Sequence, residues 1–270
     1  MKKQMLFCMA AGVAALGATV IAGEEKEGPK PEMLTIYKEV VTPSKTKEYE
    51  AAVKYMISEF KAYDIDPELV NFRTVSGPEI GYVYVSSIEN FAAMDKAHEN
   101  WTTAIEIIGK EKFHDIMEAA DDTVDHVDYF NVMRRADLSY APQNPSLGPG
   151  EAKYVNYSFY YAIPGKKKEI EELGKEYVEL YKRHNIDQGW NVYESVTGTD
   201  LPVYVVAHPA KSQGDFYRQH DELMELLGAE AEGINQRLLS FIRRVEHKEG
   251  WLRPDLSYPT PEAVAKPSRR

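Results

Sequence analysis

Cysteine is almost missing from this chain of 270 residues: the only one is Cys8. From residue 9 onward the chain can form no disulfide, no thiolate metal site and no cysteine nucleophile. Several short catalytic motifs are missing too. There is no G-x-S-x-G elbow, no G-x-x-x-x-G-K-[ST] phosphate loop, no H-E-x-x-H and no G-x-G-x-x-G after a strand. Their absence excludes the commonest hydrolase, nucleotide and zinc-protease patterns. Positive charge is in deficit as well, with 32 Lys and Arg against 43 Asp and Glu, for a net charge of −11. Such a surface repels phosphate backbones and anionic lipid, so no nucleic-acid partner is expected.

Long apolar runs are also scarce. The one candidate, Leu6 to Ile21, is rich in Ala and Gly and short for a membrane span. Lys2 and Lys3 precede it, and Ala22 and Gly23 lead into Glu24-Glu25-Lys26-Glu27. This pattern predicts a signal peptide over residues 1–23, cleaved after Ala22 or Gly23. The mature chain is then periplasmic or secreted, off the membrane, with a charge of about −13 once the two lysines are gone. A retained anchor helix is the alternative. Phe7 before Cys8 argues against a lipid-anchor site.

What is present is a repeat. Shifting the chain by 121 residues lays Val41-Thr-Pro43-Ser-Lys-Thr-Lys-Glu48-Tyr-Glu50 over Ala162-Ile-Pro164-Gly-Lys-Lys-Lys-Glu169-Ile-Glu171. The same shift lays Asp64-Ile65-Asp66 over Asn185-Ile186-Asp187, and Val75-Ser76-Gly77 over Val196-Thr197-Gly198. At a shift of 118, Arg135-Ala-Asp137-Leu-Ser-Tyr140 matches Arg253-Pro-Asp255-Leu-Ser-Tyr258. Matches at both ends and in the middle, in one order, indicate a duplication. The net three-residue deletion is expected in the second helical stretch of the second copy.

Each copy reads as strand, helix, two short strands, a longer helical stretch broken at Gly109 or Gly228, and a closing strand. The order β-α-β-β-α-β is the ferredoxin-like unit. The predicted class is therefore α+β: two tandem ferredoxin-like repeats, packed sheet to sheet or as a fused α/β barrel. Repeat one spans 33–142, a Pro/Gly linker 143–152, repeat two 153–258 and a disordered tail 259–270.

A tandem chain of this kind resembles the dimeric α/β-barrel superfamily, and the resemblance covers the whole mature chain. That group includes cofactor-free monooxygenases, stress-response barrel proteins, NIPSNAP-type proteins and the haem-binding chlorite-dismutase branch. The resemblance implies a fold more than a function.

Two sets of residues stand out. His98 and His220 sit early in the second helical stretches, each followed by a carboxylate. An imidazole beside a carboxylate suits a general base or a haem axial ligand, while a solvated helix face of mixed charge is the simpler reading. The acidic group from Glu118 to Asp128 fits no calcium loop and reads as solvated surface, so no metal is expected. Alternation assigns Leu34, Ile36, Val40, Val155, Tyr157 and Phe159 to the helix layer. It leaves Thr35, Tyr37, Glu39, Asn156, Ser158 and Tyr160 for the helix-free face. On the next strand Arg73 and Glu194 occupy one aligned position with opposite charge. A ligand pocket between the sheets is thus expected to include Tyr37, Arg73, Asn156 and Glu194. The repeated Asp-Leu-Ser-Tyr is expected to lock each exit segment against the other copy.

Two function classes remain open. One is a secreted protein that binds a small molecule or a partner in that pocket, with a homo-oligomer as an option and no cofactor favoured. The other is a barrel oxidoreductase, cofactor-free or haem-dependent.

Overall fold

The computed structural model describes residues 33–77, 81–198 and 200–259. The signal-peptide reading, the tail from residue 260 and parts of two turns lie outside these. The described chain divides into two compact units, one of residues 33–130 with 252–259 and the other of residues 131–251.

Unit one contains β1 (Met33–Val41), α1 (Thr46–Ala62), β2 (Arg73–Ser76), β3 (Gly81–Ile88), α2 (Ala93–Ile108) and α3 (Lys110–Asp121). It also holds most of β4 (Val124–Arg134). Its strand order is β4-β1-β3-β2, with β3 antiparallel to both neighbours. Unit two contains β5 (Tyr154–Ala162), α4 (Lys167–Arg183), β6 (Asn191–Ser195), β7 (Val203–Ala210) and α5 (Gln213–Leu239). Most of β8 (Ile242–Leu252) belongs to it too, and its strand order is β8-β5-β7-β6. The α+β class and the tandem ferredoxin-like units are thus present.

Each repeated motif has a physical cause. Asp64 and Asn185 both take φ 51°, the left-handed region that these two residue types tolerate best. The next amide, Ile65 or Ile186, donates to Phe60 or Tyr181, closing the first helix of each unit with a Schellman turn. At the other motif, Arg253 holds Glu50 through both terminal nitrogens, at 2.6 and 2.9 Å, and also Asp255. Arg135 likewise holds Asp137, and it bonds Glu171 through Nη1 alone. Ser257 and Ser139 each donate to the arginine carbonyl and accept the amide of Thr74 or Val192. Tyr258 then donates to the Ile65 carbonyl, as Tyr140 does to that of Ile186.

The motif after β4 therefore belongs to unit two, and the motif after β8 to unit one. Compact units and sequence repeats differ at their ends in this respect, and residues 131–142 fall in the second unit.

The hydrogen-bond register also relocates the gaps. Bridges pair Phe72 with Tyr258 and Tyr140 with Trp190, so Phe72 corresponds to Trp190 at a shift of 118. Thr74 faces Tyr84 as Val192 faces Val206, so the shift rises to 122 on the following strand. Three residues are thus lost before β6 and four gained in the β6–β7 hairpin, and the remaining loss comes later. Consequently Arg73 corresponds to Asn191, and Glu194 to Ser76, not to each other.

The core of unit one lies between its sheet and helices. It includes Tyr37, Tyr49, Phe60, Phe72, Tyr82, Tyr84 and Trp101. That of unit two includes Leu173, Tyr181, Trp190, Val192, Tyr204, Leu227 and Ile234.

Candidate functional site

The assignment of strand faces is reversed from the expectation in both units. Tyr37 is buried among the α1 residues and Trp101, and Tyr49 of α1 donates to Glu39. Thr35, Tyr37 and Glu39 thus face the helices. In unit two, the Tyr154 ring lies 5.9 Å from Phe216 of α5, which turns Tyr154, Asn156, Ser158 and Tyr160 toward the helices. A one-residue error of phase moves every side chain to the other face, and both strands are apolar enough on both faces to conceal it.

The four expected pocket residues therefore separate. Tyr37 is core. Arg73 lies on the helix-free side of β2, donating to the Pro259 carbonyl at 3.2 Å. Glu194 faces α4, bonded to Arg135 at 2.9 Å and Lys167 at 2.5 Å. The expected Arg73–Glu194 pairing does not occur, because each residue is committed inside its own unit and they are not equivalent. Asn156 alone stands in a candidate site.

That site is a polar and aromatic cluster in unit two, between the sheet and the first half of α5. A transverse row crosses the strands there: Glu249 on β8 faces Asn156 on β5, which faces His208 on β7. Trp190 completes it, its ring 6.1 Å from His208. The next row runs from His247 to Ser158 to Val206, with Ser158 Oγ 3.0 Å from His247 Nδ1. Phe216 lies over the first row, 6.2 Å from His208, and the His220 ring stacks on Phe216 at 6.2 Å and 19°. Glu249 accepts from Tyr154 at 2.9 Å, Gln213 at 2.9 Å and Tyr217 at 2.8 Å.

The electrostatics are uneven. Burial, helped by nearby His220, lowers the His208 pKa to about 4, so its imidazole is neutral at physiological pH. Its Nδ1 is buried without a partner, as is Oε1 of Gln188. Burial raises the pKa of Glu249, but the hydrogen bonds from Gln213, Tyr217 and Tyr154 outweigh that and hold it below the usual carboxylate value.

Unit one fills the corresponding space. Tyr37 faces Tyr84 where Ser158 faces Val206, and both tyrosines are buried. Counting back from the matching breaks at Gly109 and Gly228, His220 stands at the place of Trp101 rather than of His98. Tyr160, Tyr177 and Phe216 of unit two, at the places of Glu39, Met56 and Ala97, are in turn larger than their counterparts. Val206 stays partly accessible although it faces the helices from a central strand, and His247 is exposed. His98 is exposed on α2. Among the described residues no three His, Cys, Asp or Glu side chains gather as metal ligands, and no helix is long and apolar enough to cross a membrane.

His208 and His247 were missed because neither recurs in the repeat. The usable signal was the opposite one, a loss of repetition: tyrosine at 37 and 84 against serine and valine at 158 and 206.

No family model matches the chain, and no curated protein matches it. Solved structures do. A candidate monooxygenase of Fusobacterium nucleatum is similar over 83% of this chain and 94% of its own, at 9% identity and a TM-score of 0.53. An anthrone oxidase-like protein is similar over 83% and 92%, at 10% identity and 0.51. Chlorite dismutase of Candidatus Nitrospira defluvii, in complex with imidazole, is similar over 84% and 93%, at 10% identity and 0.47. The first two likenesses establish the fold alone, an α+β chain of tandem ferredoxin-like units.

Proposed function

We propose that the protein binds one small molecule per chain, in the unit-two cleft bounded by Asn156, Ser158, His208, His247 and Phe216. The observation that carries this reading is the replacement of Tyr37 and Tyr84 by Ser158 and Val206, with Val206 left accessible. The polar lining adds to it, because buried groups without partners are costly unless a ligand or water meets them.

A barrel oxidoreductase is the second reading. The Ser158–His247 hydrogen bond supports it, since a hydroxyl-held imidazole can take a proton from a bound acid. The monooxygenase and anthrone oxidase likenesses agree with such chemistry but are too distant to carry it. Haem suits the cleft poorly. Glu249, Asn156 and Ser158 present polar groups where a porphyrin offers an apolar face. Arg218, a cation available for a propionate, is committed to Asp215 and Glu222.

Export completes the proposal, supported by Lys2-Lys3 and the apolar run that follows. N-terminal sequencing from the native host tests it, and an intact Met1 in a membrane fraction would refute it.

Native mass spectrometry of the protein purified from its own cells tests the cleft. One small-molecule adduct per chain is expected, and none on Ser158→Tyr. An adduct equally abundant on that variant would move the site elsewhere. A Soret band in the visible spectrum would favour the haem form of the second reading.

A further inference from the structure

Resting on the cleft reading above, we propose that the ligand is a small aromatic amine, bound as its cation with the N–H groups turned to the sheet.

The argument is a count of donors and acceptors. Four donors around the cleft are committed: Tyr154, Tyr217 and Gln213 donate to Glu249, and Trp190 Nε1 donates to the Leu138 carbonyl at 2.9 Å. Unmet acceptor capacity stands beside them. Oε1 of Gln188, two residues before Trp190, can only accept, and it is buried without a partner. Nδ1 of His208 is buried and unpartnered as well, and a neutral imidazole offers one accepting nitrogen. Groups left in that state call for N–H donors from the ligand.

Charge points the same way. Glu249 places a carboxylate in the row with Asn156 and His208. The neighbouring cations are already paired: Arg218 with Asp215 and Glu222, Lys211 with Glu151 at 3.0 Å. The positive end of α5 is answered locally, since Ser212 caps it and the Asp215 carboxylate accepts the Lys211 amide. An anionic ligand would find no free cation among these groups. The net charge of −11 also raises the local concentration of cations.

The walls supply the aromatic part. Trp190, His208, Phe216 and His220 form a continuous series of rings, with Tyr154 alongside Phe216. Such faces stack on a planar ligand and attract a cation through the ring quadrupole.

Three isosteres separate charge from shape: phenethylamine, phenethyl alcohol and hydrocinnamate, titrated calorimetrically into the full-length mature chain at neutral pH. The amine should bind once per chain, about tenfold tighter than the alcohol, with the carboxylate weakest. Glu249→Gln should weaken the amine about fivefold and leave the alcohol unchanged. Gln188→Met serves as a second variant that should also weaken the amine selectively. If the alcohol or the carboxylate binds as tightly as the amine, the charge assignment is overturned while the cleft reading stands. If none of the three binds, this inference falls while the cleft reading rests on its own test; if all bind Ser158→Tyr as well as the parent chain, the cleft reading falls and this inference with it.

Discussion

Tyr37 and Ser158 hold the same position in the two units, the first facing buried Tyr84 and the second facing accessible Val206. Tyr37 and Ser158 are both buried, but Val206 is partly accessible where Tyr84 is not. Stability should register the difference. Tyr37→Ser deletes a buried ring and should cost about 3–5 kcal/mol, by the cavity it leaves. Ser158→Ala removes one hydroxyl beside an open cleft and should cost at most about 1 kcal/mol. Urea unfolding of both variants measures this, and equal losses would mean that the two sites are equally packed.

Tyr258 and Tyr140 close their units in the same way, each through a hydroxyl on the carbonyl of an isoleucine beyond the first helix. Removing the hydroxyl leaves a buried carbonyl unmet. Tyr258→Phe and Tyr140→Phe should each lower stability by about 1–3 kcal/mol. A loss at one position only would show that the repeated motif is structural in one unit and vestigial in the other.

The duplication and the order of elements were legible in the sequence, because they rest on turn and cap chemistry that local residues dictate. Asp64-Ile65 and Asn185-Ile186 are Schellman turns, and such turns survive divergence. The faces of β1 and β5 were not legible. Each strand carries aromatic or aliphatic side chains on both sides, so alternation has two solutions, and only the docking of Tyr49 on Glu39 and of Phe216 on Tyr154 chooses between them. The Arg73–Glu194 equivalence failed for a related reason. A gapless alignment cannot see three residues lost before β6 and four regained in the hairpin after it. Asn156 was placed in the candidate site through the reversed face, and His208 and His247 were invisible because they have no counterpart in unit one.

Glu39 is buried beside Tyr49 and Tyr84, and Tyr49 also shares a hydrogen bond with Tyr84. Burial raises the Glu39 pKa, against the opposing effect of the Tyr49 hydrogen bond. A carboxyl whose folded pKa lies above its unfolded value contributes stability that is complete below the unfolded pKa, and loses it as pH rises through the folded one. Glu39→Gln keeps the acceptor and removes the charge. It should therefore be neutral in acid and more stable than the parent at neutral and alkaline pH. Thermal melts across that range decide it, and a variant less stable at every pH would show that the ionised form is the one the core requires.

His208 should make unit two sensitive to acid. Its pKa falls from 6.5 to about 4 on folding, through burial and the proximity of His220. Below 6.5 the unfolded chain binds a proton that the folded chain refuses, so the unfolded state gains as pH falls. The contribution of His208 is complete above that value, declines progressively down to about 4, and is constant below. One pKa unit corresponds to about 1.4 kcal/mol, so the full loss is about 3 kcal/mol. The groups that face the ring on the same side are Asn156, Trp190 and Phe216, with His220 stacked on Phe216; the carboxylate of the row, Glu249, stands one strand further off, beyond Asn156. Urea midpoints measured between neutral pH and the lower limit should fall more steeply for the parent chain than for His208→Gln. Parallel slopes would mean that His208 takes its proton in the folded state, and that the cleft admits enough water to solvate an imidazolium.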